Sequence, residues 1–550
     1  MLSFLKKNPV ILLISILASI ITLLPILPDG GYGCVKDQCG FIVGTNYKDA
    51  LWYIAISTVS FQTIPFQMPV FADGLLQGYH FLPNLVTYVL SLVGIPVVFT
   101  YYKLLPVIYI LLLIVLTIKL GLDRHKNTLY ATILLLFVAF GGTLTHIFTF
   151  FNHGMISNRN VMSPLFESAR ALESMQYSFS LIIILAALIL IQKVHKVRAN
   201  YLALSVLLFF SFGTKFYAGI ILAVLVMMDA LLSMIKTKHY LRFSLTGLAY
   251  VLSALLGVLV FYNPFTSSGT GSPFTFSPFA TVHHLIEHPD FFYLPDMVLA
   301  RYYLYEQGWG PRLLAIELFS AVLFVVYYFG LRCLGFIKLG TSLIQRKLSA
   351  FDITLFVASI SSLVISVLFI QKGDWFNTIQ FAAYGAFLMS WPTADLMYDL
   401  ARKHLMGKVL VVIAAIFMMT SSFTHLQYLT NPSRLVITEP EMQALTYLKD
   451  QPDGTVYAPI LDSDDLPYVA ALSSKQTYIN FTNVLENTGI DYKKRLAQVE
   501  KLDHIKQAKV DYIYLPKRYK KLPEIQTVIA ASSKYENIFV NQAVLIYKKK

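Results

Sequence analysis

Asp49, Asp73 and His80 are the residues of this 550-residue chain best placed by type and spacing to do chemistry. Asp49 begins the run Asp49-Ala-Leu-Trp-Tyr-Ile-Ala-Ile-Ser57. Asp73 and His80 follow in Phe71-Ala-Asp-Gly-Leu-Leu-Gln-Gly-Tyr-His-Phe-Leu-Pro-Asn84. A carboxylate in a cleft can take the proton of an attacking hydroxyl, and an imidazole or a cation can steady the anion that leaves. The plain alternative for Asp49 is a helix start, where Asp is common as a cap. Trp52, Tyr53 and Ile56 then share one face, so the expected helix is amphipathic.

What must position these residues is a membrane. The chain is 56% hydrophobic and 14% charged, whereas a soluble domain is nearer 45–50% apolar and about 25% charged. The excess falls in runs long enough to cross a hydrocarbon core of roughly 30 Å. The expected spans are 8–27, 103–121, 129–149, 178–193, 199–213, 215–235, 243–262, 313–336, 351–371, 377–398 and 409–428, about eleven transmembrane helices. The net charge of +13 sits mostly in short turns, which suits topology determinants beside anionic lipid rather than nucleic acid. Lys6 and Lys7 precede the first run. Further clusters follow alternate spans, at Lys119–Lys126, Lys193–Arg198, Lys236–Arg242, Arg332–Lys347 and Arg402–Lys408. Basic residues near helix ends stay cytoplasmic. The N-terminus is then cytoplasmic, the first run a retained anchor, and 28–102, 150–177 and 263–312 are extracytoplasmic.

Residues 81–100 are apolar enough to pass for a span, but counting them so would put the Arg124–Lys126 cluster outside. A surface helix over about 80–93, stopped by Gly94-Ile-Pro96, avoids this. The spans 199–213 and 215–235 form a tight pair that turns at Gly213-Thr214-Lys215. The third external region holds helices at about 280–288 and 295–306, after the polar run Ser267–Ser272. Cys34 and Cys39 suit a small disulfide loop outside the membrane, and Cys333 a packed thiol. No internal repeat is present.

Residues 431–550 change character and read as a small extracytoplasmic α/β domain near the first loop. A capping box, Thr438-Glu-Pro-Glu441, opens a helix to Lys449. Strands are expected at 455–461, 476–480, 510–515 and 541–547, and helices at 465–472 and 491–507. Asp462-Ser-Asp464-Asp465 reads as a helix cap or solvated turn, because a nucleotide-sugar domain needs about twice the available length. His283, His284, Glu287 and His288 have helical zinc-ligand spacing, but packing at the membrane interface suits them better. Asn480-Phe-Thr482 is a glycosylation sequon.

The layout resembles the glycosyltransferase C superfamily, the polyprenyl-phosphate-sugar-dependent membrane enzymes that include protein O-mannosyltransferases and aminoarabinose transferases. The resemblance lies in one span followed by a long external loop with an early acid. Then come a His-containing motif, a surface helix and a span that ends in basic residues. Where those enzymes have His-Pro-Pro-Leu, this chain has Tyr79-His80-Phe-Leu-Pro83. Phe210-Ser-Phe-Gly-Thr-Lys215 resembles their turn between short paired spans, and some members carry an external α/β tail.

By position, the resemblance makes Asp49 the catalytic acid and puts Asp73 and His80 around the second first-loop motif. It implies transfer of a sugar, with inversion, from a polyprenyl phosphate to an acceptor hydroxyl on a glycan, lipid or protein. Tyr79 and Trp52 join the substrate-binding group. The departing phosphate needs a cation, and Lys215 and Arg301 are the first candidates, ahead of Arg312, Lys372 and Lys103; the alternative for each is an interfacial anchor. No cofactor and no metal is expected: the first loop has no adjacent acidic pair, and the second region has Glu167 and Glu173 but no Asp. The domains are then 1–430, glycosyltransferase-like and transmembrane, with the first external loop at 28–102, and the α/β domain at 431–550.

The competing reading is a membrane transporter or lipid-handling protein. It would favour broken helices near the midplane and paired repeats. The intramembrane charges are sparse here, with Glu317 and Asp395 toward span ends. In intact cells the orientation requires Ala300→Cys to react with an impermeant thiol reagent from outside and Ile344→Cys only after permeabilisation. The reverse pattern would overturn it.

Overall fold

A computed structural model describes residues 2–35, 38–44, 46–144, 147, 150, 172, 174–193, 199–262, 274–287, 293–371, 375–423, 434–460 and 465–550. Ser267–Ser272, Glu167, Glu173, His288, Lys372, Asp462 and Asp464 lie outside the described residues. Helices dominate. Among the described residues seven are long and apolar enough to cross a bilayer: Pro9–Ile26, Val97–His125, Met175–Lys193, Phe216–Thr237, Tyr240–Tyr262, Pro311–Ile344 and Ala350–Leu368. Three further expected spans correspond to shorter apolar helices, Thr128–Phe140, Asn200–Thr214 and Leu405–Thr420. The eleventh, 377–398, is not one helix. Ile379–Leu388 and Ser390–Lys403 meet at Met389, because the ring of Pro392 would clash with the carbonyl of Leu388 in a continuous helix.

The chain divides into two compact units. One is Met1–Pro25, Pro106–Val258 and Ser272–Thr430; the other is Ile26–Leu105, Leu259–Gly271 and Asn431–Lys550. In the first, helices such as Tyr240–Tyr262 expose Leu241, Leu245, Leu248, Leu252 and Leu255, an outward apolar face suited to lipid. The paired helices turn where expected: Ala199–Thr214 ends, Lys215 is extended, and Phe216–Thr237 begins. The helices Ala280–Glu287 and Pro295–Glu306 are also present.

In the second unit, Leu82–Leu92 is the short helix expected after His80, and Gly94 at φ +90° and Pro96 end it. Its polar residues Asn84 and Thr87 are buried, while Val86, Val89 and Leu92 are exposed. That inversion suits a helix with lipid on its open side. The next helix starts at Val97, six residues before the expected span, and passes a π-helical turn at Thr100–Leu104.

The strands Tyr32–Val35 and Gln38–Gly44 form an antiparallel hairpin with Cys34 opposite Cys39, and the two are joined as a disulfide. The hairpin's second strand also pairs with Leu435–Thr438, a strand that the sequence reading did not contain. Glu441 then accepts from the Thr438 hydroxyl at 2.9 Å and from its N–H, which opens the helix Glu439–Lys449 as expected.

The rest of the tail is a four-stranded sheet in the order Val456–Tyr457, Tyr512–Pro516, Val544–Lys549, Tyr535–Val540, with the first pair parallel. Two expectations need correction, and one strand was not expected. Residues 476–480 make isolated bridges from Thr477 to Val456 and from Ile479 to Phe71 rather than a full strand. The helix over 491–507 breaks at Leu502, φ +56°, into Lys493–Glu500 and Asp503–Lys506. The exposed edge strand Tyr535–Val540 was missed, because its outward face carries no period-2 apolar signal.

His504 is fully buried in this tail, edge-on to Tyr457 at 4.1 Å and stacked on Tyr478 at 5.5 Å. Burial lowers its pKa from 6.5 to about 4. As pH falls through that window the unfolded chain binds a proton that the folded tail refuses. The native state therefore loses about 3 kcal/mol below both values. Thermal unfolding of the full chain should move to lower temperature between about pH 7 and about pH 4.5, and less so in His504→Phe. Equal shifts in the two proteins would contradict this.

Candidate functional site

Asp49 stands in the first turn of the helix Tyr47–Val59. That helix is not amphipathic as expected: Ala50 through Ser57 are all buried. The strand Gln38–Gly44 and the helices Leu82–Leu92 and Tyr468–Ser473 pack around it. Polar contacts tie it to these neighbours. Asn84 donates to the Tyr53 carbonyl at 2.9 Å, and Thr58 donates to the Ala471 carbonyl at 3.4 Å. Trp52 is packed edge-on to Tyr79, with Phe481 on another side at 6.0 Å. Such a helix has little freedom to move, and its first-turn carboxylate is half-buried rather than enclosed.

Two features around Asp49 suit a negative charge. The helix N-terminus is the positive end of its dipole, and the Asn46 amide donates to Asp49 Oδ2 at 3.3 Å. Tyr79 lies within electrostatic reach. Burial first, and then the Asp49 charge, push the Tyr79 phenol well above its ordinary pKa, so it stays a hydrogen-bond donor. The His80 ring stacks on Tyr79 with centroids 4.5 Å apart. Asp49, Trp52, Tyr79 and His80 therefore form one aromatic-lined group.

Asp73 is placed differently. It is exposed, at φ +58°, in the loop before Tyr79, and its charge acts on Arg495 and Tyr478. Arg495 lies over the Phe71 ring at 3.8 Å and the Tyr478 ring at 4.8 Å, and donates to the Ala72 and Tyr478 carbonyls. Gln476 donates to the Met68 and Phe71 carbonyls. These bonds lay the loop 65–76 along residues 476–480.

Lys215 and Arg301 belong to the other unit. Lys215 is buried in the extended link between its two helices, with Nζ 6.0 Å from the Tyr217 ring centroid. The neighbouring Tyr217 hydroxyl donates to Gln371 at 2.6 Å. Arg301 is buried and ion-paired with Glu287, whose other oxygen accepts from Tyr302. His283 meets the buried Glu317 at 2.6 Å. Among the described residues no three His, Cys, Asp or Glu side chains gather as metal ligands.

Other sequence readings resolve plainly. Asp465 accepts from the Phe481 and Thr482 amides and the Thr482 hydroxyl, which makes it a cap for the helix Thr482–Asn487. Asn480 of the sequon is buried. Lys103 donates to the Leu27 and Asp29 carbonyls. Sequence reasoning missed Asp29, a buried acid whose Oδ1 is 3.1 Å from Arg434 Nε. The signal available was an acid between Pro28 and Gly30, which reads equally well as a turn.

No family model matches the chain, and no curated protein matches it. Among solved structures it is similar to the crystal structure of the Archaeoglobus fulgidus oligosaccharyltransferase in complex with zinc and sulfate. The identity is 13%, the match covers 98% of this chain and 73% of that one, and the TM-score is 0.51. A structure of the oligosaccharyltransferase AglB from the same organism, with an inhibitory peptide and a dolichol-phosphate, matches at 12% identity over 99% and 75% of the two chains, with a TM-score of 0.47. At 13% identity the likeness is one of fold. A largely helical chain, with seven bilayer-length helices among the described residues and a small sheet-containing tail, thus shares the fold of that oligosaccharyltransferase.

Proposed function

We propose that this chain is an integral membrane glycosyltransferase. It moves a sugar from a polyprenyl-phosphate-linked donor to an acceptor hydroxyl on the extracytoplasmic face, with Asp49 as general base. The observation that carries this reading is the half-buried Asp49 carboxylate at the positive end of a helix buried on every side, in a chain with an oligosaccharyltransferase-like fold.

In the proposed step the acceptor oxygen bonds to the anomeric carbon from the side opposite the phosphate. The carbon–oxygen bond to phosphate breaks, polyprenyl phosphate leaves with the electron pair, and configuration inverts. The hydroxyl proton passes to Asp49. A hydroxyl is a weak acid, so the carboxylate need accept the proton only as the new bond forms. Tyr79 supplies a phenolic donor for the sugar with Trp52 packed edge-on behind it, His80 holds Tyr79 by stacking, and Asp73 orders its loop with Arg495. Lys215 and Arg301 are proposed to steady the phosphate. Arg301 would share its guanidinium with Glu287.

The oligosaccharyltransferase of similar fold was solved with zinc and sulfate. Around Asp49 the Asn46 amide and the Tyr79 phenol are among the neighbours. The proposed step is written without a metal.

The test is transfer of radiolabelled sugar from polyprenyl-phosphate donors by the purified protein. Asp49→Asn keeps the side-chain shape and should lower turnover roughly 100- to 10,000-fold, with donor binding retained. Equal turnover by the variant would remove Asp49 from the mechanism. Movement of donor across vesicles without transfer would favour the transporter or lipid-handling reading.

A further inference from the structure

A carboxyl group stands inside the spanning helices of the first unit. Asp229 lies on Phe216–Thr237 and is buried. At about 1.5 Å per residue it is about 20 Å along the helix from Phe216, well within a hydrocarbon layer of roughly 30 Å. The preceding helix brings Tyr201 and the following helix brings Tyr250 close enough for the Asp229 charge to act on both phenols. The Tyr250 hydroxyl is buried and has no hydrogen-bond partner among the described residues, whereas the Tyr201 hydroxyl lies within hydrogen-bond reach of Arg242.

Arg242 borders this group through Tyr201, while Asp352 and Lys193 on the packed helices are paired elsewhere. Arg242 lies over the Tyr201 and Phe243 rings at 5.3 and 5.5 Å. Asp352, on the packed helix Ala350–Leu368, is paired with Arg124, and Lys193, at the end of Met175–Lys193, is paired with Asp123. Ile379–Leu388 contributes Tyr384, bonded to Ser180. No ion pair to Asp229 forms among the described residues. An ionised carboxylate without a countercharge is costly in hydrocarbon, and acids found there mark ion or proton sites.

We propose that Asp229, flanked by Tyr201 and Tyr250, is an intramembrane proton-binding site. The carboxyl holds its proton as a neutral acid and is the group through which one proton enters and leaves this helix trio. The Tyr250 hydroxyl, without another partner among the described residues, can donate to the anion when the proton departs, and so can the Tyr201 hydroxyl, whose oxygen accepts from Arg242. This inference stands whether or not the chain transfers sugar.

Dicyclohexylcarbodiimide, an apolar reagent for neutral carboxylic acids, tests it on the full-length protein in phosphatidylcholine vesicles. The acid proton moves to a carbodiimide nitrogen as the carboxyl oxygen bonds the central carbon. The O-acylisourea then rearranges to a stable N-acylurea, so the peptide gains the whole mass of the reagent. Asp229 is the sole acid of Phe216–Thr237, so mass spectrometry of that segment reports on it alone. Labelling should persist at about pH 6, above the ordinary aspartic acid value of about 3.9, and then fall about tenfold per pH unit as the proton is lost. Asp229→Asn should abolish it. Tyr250→Phe, lacking one donor to the anion, should stay labelled to higher pH; an unchanged profile would contradict that hydroxyl's place in the site. Absence of labelling at every pH, or a label that survives Asp229→Asn, would overturn the proposal. Protection by sodium chloride but not by choline chloride would also overturn it, by making sodium the occupant.

Discussion

The second unit depends on burying one helix, Tyr47–Val59, around its whole girth. A fully buried large apolar side chain contributes about 1.5–3 kcal/mol, and Leu51, Trp52, Tyr53, Ile54 and Ile56 are all buried here. Its walls come from far apart in sequence. The strand Gln38–Gly44 lies so close to Leu435–Thr438 that a Cβ at Gly40 would come within 2.1 Å of the Ile437 carbonyl oxygen. Asp29 and Arg434 form a buried ion pair in the same unit. Removing one partner of such a pair is far more damaging than replacing both. The helix therefore fixes the position of its one acid.

The first unit follows the logic of lipid. Apolar side chains face outward, and the charges near helix ends find partners: Arg124 with Asp352 and Asp395, Lys193 with Asp123, and Lys338 with Asp399. Where helices break, small residues let backbones meet. Gly330, at φ +57°, interrupts Pro311–Ile344, and a Cβ there would come 2.1 Å from the Gly142 carbonyl oxygen. Any larger residue would be strained by the torsion and blocked by the neighbour.

Much of this was legible in the sequence because its signals are local. Apolar run length gives spans, Gly94-Ile-Pro96 stops a helix, Gly213-Thr214-Lys215 turns a pair, and Thr438 with Glu441 opens a helix. What stayed hidden was nonlocal. Nothing near Leu435 announces a strand partner about 400 residues earlier, and nothing near Tyr47 says that its helix will be enclosed rather than half-exposed. Pro392 did carry a local signal against one helix over 377–398. Asp29 and Asp229 were passed over because a single acid beside a turn, or in a long apolar run, has no pattern of its own; burial gives each its meaning. For the site, Asp49, Trp52, Tyr79 and His80 do gather, whereas the neighbours of Asp73 come from the tail.

The central claim is that an enclosed helix presents Asp49 to the extracytoplasmic side. The most direct measurement is impermeant thiol labelling of intact cells carrying Asp49→Cys or Ile54→Cys, in a chain whose Cys333 is replaced by Ala. The account predicts rapid modification at position 49 without permeabilisation, and none at position 54 until the protein is unfolded. Modification at position 49 only after permeabilisation, or equal reactivity at the two positions, would contradict it.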